Sequence, residues 1–197
     1  FYQALPWLAI ISMVSYFLGS IPFGIIFSKL FNLGNLTEIG SGNIGATNVL
    51  RTGNKLAALL TLVLDGLKGF VSVYLVYEFF GLTAAQFSGV FVFIGHLLPI
   101  FNRFKGGKGV ATFFGIIAAL NLWLFLCCAC TWLVIAFLFK RSSLSSLVAS
   151  FTSLCFTYPL GIQHNIWLLI PLVIGIFVSH RTNIVRLVKG SEPKIGK

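Results

Sequence analysis

Three short polar clusters interrupt an otherwise apolar sequence and carry residue types that could bind charge or move it. They are Gly40-Ser41-Gly42-Asn43-Ile44-Gly45-Ala46-Thr47-Asn48 with Arg51, then Lys105-Gly106-Gly107-Lys108-Gly109, then His180-Arg181-Thr182-Asn183. Glycine, lysine, arginine and asparagine in connecting segments are the materials of an anion site: bare backbone N–H groups, fixed positive charge, and amides that orient what is bound. In the first cluster Gly42 and Gly45 permit close backbone approach. Ser41 and Thr47 supply hydroxyls, Asn43 and Asn48 supply amides, and Arg51 offers a bidentate fork for an oxyanion. The second places Lys105 and Lys108 around Gly106 and Gly107 just before a helix start, where free N–H groups and the helix dipole favour an anion. His96, at the membrane edge upstream, reads equally as a structural histidine or a site residue. In the third, His180 and Asn183 are three apart, which on one helical face presents both to one ligand beside Arg181. A phosphate-bearing ligand at a membrane surface is the chemistry these types suggest. An ordinary connector or a juxtamembrane basic patch accounts for the arginines and one lysine, but not for the paired glycines or the His–Asn pair.

Several familiar patterns fail. Gly40, Gly42 and Gly45 formally spell G-x-G-x-x-G with Asp65 downstream, but no strand precedes them and Asp65 lies inside an apolar run, so the dinucleotide fingerprint is spurious. The lysine cluster lacks the Walker pattern. No H-x-x-x-x-D pair follows His96, His164 or His180. The four carboxylates are dispersed and Cys127, Cys128, Cys130 and Cys155 lie in apolar runs, so no metal, cofactor or disulfide is expected. Asp65 and Lys68, one helical turn apart, are expected to pair, because ionisable groups in apolar runs face each other or a cavity.

The elements that position these clusters are membrane helices. The 197 residues are 57% hydrophobic and 9% charged, with mean hydropathy +0.97, whereas soluble proteins carry about 25% charged residues. Four acids face fourteen Lys and Arg, and in so apolar a chain the net charge of +10 points to anionic lipid or a phosphorylated metabolite rather than nucleic acid. Apolar runs cover 5–30, 56–80, 83–102, 110–139, 143–159 and 165–179. The first, longer than a signal-peptide core, reads as a retained span kinked at Pro22.

The run 110–139 is long for one span and short for two. Turning it near Asn121 puts every Lys and Arg except Lys68 on one side, with none near residues 81, 121 or 162. That asymmetry is the positive-inside pattern, so the expectation is one all-α transmembrane domain over 1–197 with seven helices, some short, the N-terminus outside and the C-terminus cytoplasmic. All three clusters then share the cytoplasmic face.

Taken in order, Ser41-Gly42-Asn43-Ile44-Gly45-Ala46-Thr47-Asn48, Gly95-His96 with Lys105-Gly106-Gly107-Lys108-Gly109-Val110-Ala111-Thr112, and His180-Arg181-Thr182-Asn183-Ile184 with Arg186-Leu187 resemble the three signature blocks of the bacterial membrane glycerol-3-phosphate acyltransferases that use acyl-phosphate, the PlsY family. The resemblance implies acyl transfer from acyl-phosphate to glycerol 3-phosphate, giving lysophosphatidic acid for phospholipid synthesis at the cytoplasmic face of the bacterial inner membrane. A functional link to the soluble enzyme that makes acyl-phosphate follows. It also implies that Ser41, Asn43, Asn48 and Arg51 contact phosphate or acyl-phosphate, that Gly106, Gly107 and Lys108 hold glycerol 3-phosphate, and that His180 and Asn183 line the reacting centre. The third block usually reads His-Arg-Glu-Asn; Thr182 replaces that glutamate, although Glu192 matches a later acidic position.

Acyl-phosphate is a mixed anhydride, already activated, so positioning and charge neutralisation should dominate catalysis. Either His180 or a donor phosphate oxygen takes the acceptor proton, and the phosphate is preferred because a basic oxygen already lies beside the reacting carbon. Phe91, Phe93, Phe113 and Phe114 could line an acyl groove or simply pack. The competing class is a transporter of a phosphorylated solute, which would place its anion site near the midplane and often shows inverted repeats; none is evident.

Overall fold

A computed structural model describes residues 5–195. Helices dominate them, no strand occurs among the described residues, and the chain divides into two compact units, Phe1–Leu120 and Asn121–Lys197.

The first unit contains α1 (Leu5–Gly19), α2 (Phe23–Leu30), α3 (Ala46–Leu50), α4 (Lys55–Leu97) and α5 (Val110–Leu120). The expected interruption at Pro22 is present: helix stops at Gly19 and resumes at Phe23, because proline lacks an N–H and clashes with the preceding turn. α4 is two arms. Gly81 has φ 78° and ψ 179°, a conformation open essentially to glycine alone, and the chain reverses there. Cross-contacts establish the reversal: Ser72 Oγ lies 2.8 Å from Ser88 Oγ, and Asp65 Oδ1 lies 3.6 Å from His96 Nδ1. In a straight helix the latter two residues would stand roughly 46 Å apart.

Lipid tails are as apolar as leucine, so helices in a bilayer associate through close backbone approach and shared hydrogen bonds. Both devices are used. Ser15 Oγ donates to Ser88 Oγ at 2.9 Å, joining α1 to both arms of α4 through the Ser88–Ser72 contact. A Cβ on Gly95 would overlap the Tyr16 carbonyl, and one on Gly115 would overlap the Gly66 carbonyl, so α1 and α5 each lie backbone to backbone on one arm. Phe93 and Phe113 are core residues, 2% and 1% exposed.

The second unit contains α6 (Leu122–Phe139), α7 (Ser142–Phe156), α8 (Ile166–Ser179) and α9 (Arg181–Val188). The break at Asn121 is present. Asn121 leaves the helical region and its Oδ1 caps α6 by accepting from Leu124 N–H at 2.8 Å, so the long apolar run becomes helices of 11 and 18 residues. The serine-rich α7 folds its hydroxyls onto its own carbonyls: Ser145 on Arg141, Ser146 on Ser142 and Ser150 on Leu147, at 2.8–3.0 Å. That is how a polar sequence satisfies itself in an apolar setting. Trp132 Nε1 donates to Ser146 Oγ at 3.1 Å and ties α6 to α7.

Leu5–Leu30, Lys55–Asn102 and Leu122–Phe139 are long and apolar enough to cross a bilayer. Their outward side chains are large and apolar, with Phe79 76% and Phe137 82% exposed. Such a surface is stable only against lipid.

Candidate functional site

The first cluster is a loop folded over one asparagine. Gly40 and Gly42 have φ 53° and 68°, turning the chain back so that Ser41 meets the end of α3. Asn48, 2% exposed, accepts at Oδ1 from the Ser41 N–H (3.0 Å), the Ser41 hydroxyl (3.3 Å) and Arg51 Nη1 (3.4 Å). Its Nδ2 donates to the Leu36 carbonyl at 2.9 Å. Ser41, Asn48 and Arg51 are therefore brought together, with Asn48 buried beneath the loop and holding it. Ser41 and Thr47 are exposed and Arg51 is half-buried. Asn43, half-buried in the same loop, has its Oδ1 enclosed without a hydrogen-bond partner. Gly45 precedes α3 in an extended conformation.

The second cluster wraps the end of the second arm of α4. Gly107 N–H donates to the His96 carbonyl at 3.1 Å. A Cβ on Gly106 would overlap the His96 and Leu97 carbonyls, and one on Gly107 would overlap Nε2 of His96. Neither residue has positive φ. These glycines are required by close packing on a helix end, not by an unusual turn, which gives the sequence expectation of a bare anion cradle a second cause. Lys105 is exposed, and half-buried Lys108 stands two residues before α5.

Below that loop lies the expected ion pair. Lys68 Nζ is 2.8 Å from Asp65 Oδ1, with both side chains almost fully buried. Lys68 Nζ also donates to the Ile21 carbonyl at 3.0 Å, within the break between α1 and α2.

In the third cluster the helix bends at the histidine. α8 and α9 meet at 62°, and His180 is the residue at the joint, the C-cap of one helix and the N-cap of the next. Its Nδ1 donates to the Ile176 carbonyl at 2.9 Å, so the ring belongs to the last turn of α8. Asn183, in α9, donates instead to Glu192 Oε1 at 2.6 Å. Both are buried, at 2% and 3% exposure, whereas Arg181 and Thr182 are exposed.

Glu192 is the residue that sequence reasoning undervalued. Gly190, at φ 70°, ends α9 and lets the tail turn back. The Glu192 carboxylate then receives Ser143 Oγ (2.7 Å), Asn183 Nδ2 (2.6 Å) and Arg186 Nε (2.7 Å), and Ile195 N–H donates to the Lys140 carbonyl at 2.7 Å. Burial alone would raise the Glu192 pKa, but the hydrogen bonds from Ser143, Asn183 and Arg186, with the Arg186 charge, hold it below the ordinary 4.5.

A lowered folded pKa means stability that is full above the ordinary value and lost as pH falls through the lowered one. The hydrogen-exchange protection of the Ile195 amide should therefore stay constant from neutral pH down to the ordinary 4.5 and collapse below it. Glu192→Gln should lack that acid transition. An unchanged transition in the variant would exclude Glu192 as its origin.

The three clusters lie within one matched span. The family model described as glycerol-3-phosphate acyltransferase matches residues 9–190. The chain is 52% identical over 195 residues to a glycerol-3-phosphate acyltransferase of Roseobacter denitrificans, covering 99% of this chain and 98% of the relative. It is 50% identical over 190 residues to one from Jannaschia sp., covering 96% and 94%. Among solved structures it is similar to the integral membrane glycerol 3-phosphate acyltransferase PlsY in its glycerol 3-phosphate form, with TM-score 0.91 and 36% identity, covering 96% of each chain. The lysophosphatidic acid form of PlsY matches with TM-score 0.86 and 37% identity, covering 96% of this chain and 95% of that one. Similarity of sequence and of backbone thus coincide along almost the whole length, and the chain belongs to the glycerol-3-phosphate acyltransferase family, as an integral membrane protein of the PlsY type.

Proposed function

We propose that the chain transfers an acyl group from acyl-phosphate to the 1-hydroxyl of glycerol 3-phosphate, giving lysophosphatidic acid and inorganic phosphate. The observation that carries this reading is the pair of forms in which the related enzyme was solved: they differ by one acyl group on the same acceptor. The acceptor oxygen attacks the acyl carbon, the carbon–oxygen bond to phosphate breaks, and the departing phosphate takes the acceptor proton. Arg51 and Lys108 offset the repulsion between two phosphorylated substrates, and Ser41, held on Asn48, contacts the donor phosphate with Gly42, Asn43, Gly45 and Thr47. Lys105, Gly106, Gly107 and Arg181 contribute to acceptor binding. His180 and Asn183 orient the acceptor and the tetrahedral oxyanion. No metal is needed in this scheme because the anions meet fixed cations.

The residues act as one domain with seven spans, the N-terminus outside and the sites facing the cytoplasm of a bacterial inner membrane, where a soluble enzyme supplies acyl-phosphate. The reversal at Gly81, the cap at Asn121 and the one-sided lysines and arginines support that topology.

One preparation tests activity and orientation together. In inverted membrane vesicles, added acyl-phosphate and glycerol 3-phosphate should release phosphate and form lysophosphatidic acid. Right-side-out vesicles given the same impermeant acceptor should stay silent until detergent is added. Silence in both after detergent removes the activity, and turnover in intact right-side-out vesicles removes the orientation.

A further inference from the structure

We propose that His96 is a positioning residue for the acceptor loop: held from below by Asp65 and Lys68, its imidazole is the seat on which Gly107 rests. The inference deepens the acyltransferase reading above and rests on it.

The imidazole is 5% exposed, enclosed between an acid and a backbone. On one side Nδ1 faces Asp65 Oδ1 at 3.6 Å, and that carboxylate is fixed by Lys68 Nζ at 2.8 Å. On the other, Nε2 lies where a Cβ on Gly107 would fall, and the same histidine's carbonyl accepts the Gly107 N–H at 3.1 Å. Lys68 is fixed in turn by the Ile21 carbonyl at 3.0 Å, with its ammonium 5.7 Å from the centre of the Phe23 ring. Beyond the loop, Thr112 Oγ1 donates to the Asp65 carbonyl at 2.9 Å and pins the first turn of α5 to the same helix turn. The loop 105–109 is thus anchored through His96 to the end of the second arm of α4, and through Thr112, just beyond it, to the Asp65 turn of the first arm.

A buried ion pair is a poor way to hold helices together, since apolar residues of similar size often do it as well or better. What apolar residues cannot do is fix the rotation of an imidazole. Asp65 and Lys68 set that rotation, the ring edge sets the height of Gly107, and Gly107 sets where Lys108 emerges. Because His96 is covered by the loop, it acts through the loop rather than on substrate.

His96→Asn keeps a polar group toward Asp65 and removes the part of the ring under Gly107. It should raise the KM for glycerol 3-phosphate roughly tenfold, with kcat and the acyl-phosphate KM within about threefold. The double variant Asp65→Asn/Lys68→Met, which removes both charges while leaving the ring, should show the same one-sided KM increase. His96→Gln, whose longer amide reaches Gly107, should recover most of the acceptor affinity. Independently of turnover, hydrogen exchange in residues 105–109 should accelerate in His96→Asn while residues 40–51 keep their protection.

Unchanged exchange in the loop overturns the proposal, as does a KM increase shared equally by both substrates. A kcat loss above about 100-fold at constant KM also overturns it, by making His96 a catalytic residue. Absence of phosphate release from the wild-type enzyme would instead remove the acyltransferase reading, leaving the exchange measurement to decide whether His96 seats the loop.

Discussion

Asn48→Ala is expected to lower kcat/KM for acyl transfer by about 100-fold or more in a protein that still folds, because roughly 1 Å of misplacement at a reacting centre costs that much. Asn48 never reaches the solvent face of its loop. Its single oxygen collects the Ser41 amide, the Ser41 hydroxyl and the Arg51 guanidinium, and its nitrogen holds the Leu36 carbonyl. Alanine leaves those groups with no common partner, and each buried polar group left unsatisfied costs about 1–3 kcal/mol. The loop recovers part of that by moving, which displaces Ser41 and Arg51 together. Asn48→Asp sharpens the test. The carboxylate keeps the acceptor but loses the donor to Leu36 and captures the Arg51 charge, so donor-phosphate affinity should fall more steeply than the melting temperature. Steady-state kinetics in detergent, with thermal unfolding alongside, reads both. A kcat/KM within about threefold of wild type in Asn48→Ala would show that the lock is dispensable.

The sequence made the helical architecture legible wherever glycine, proline or asparagine interrupts an apolar run: Pro22, Gly81 and Asn121 each fall where the helices break. The pairing of Asp65 with Lys68 was equally legible, because two buried charges one turn apart have few alternatives. What escaped were roles decided by contacts distant in sequence. Asn48 reads as one more amide in a polar cluster until α3 turns it inward toward residues 36 and 41. Gly106 and Gly107 read as a bare cradle, yet their nearest obstacles are the Leu97 carbonyl and the His96 ring, in the preceding helix. A spacing of three put His180 and Asn183 on one face of a continuous helix, but the bend falls at His180, whose ring turns to the Ile176 carbonyl of the preceding helix. Glu192 reads only as a match to a later acidic position; its partner Ser143 lies 49 residues earlier. The one available signal was its rarity, a lone acid among cations following the third cluster.

His180→Gln separates the two routes for the acceptor proton, and the geometry sharpens what each predicts. Nδ1 of His180 donates to the Ile176 carbonyl, which places the ring proton on Nδ1 and leaves Nε2 as the lone-pair nitrogen. That tautomer can accept a hydrogen bond from a hydroxyl, which orients the acceptor, or accept its proton, which makes the ring a base. If the donor phosphate is the base, glutamine preserves a polar contact at the bend and kcat should fall by about 10-fold to 100-fold. The pH profile of the residual rate should then keep its shape. If His180 is the base, the loss should approach the upper part of the roughly 10²- to 10⁴-fold range of general-base contributions, and the acidic limb should vanish with the imidazole. Donors of different phosphate basicity give an independent reading. With thiophosphate or methyl phosphate leaving groups, the substrate-assisted route makes turnover in both enzymes track the basicity of the leaving oxygen. A His180→Gln enzyme without an acidic limb, and indifferent to that basicity, would restore histidine as the base.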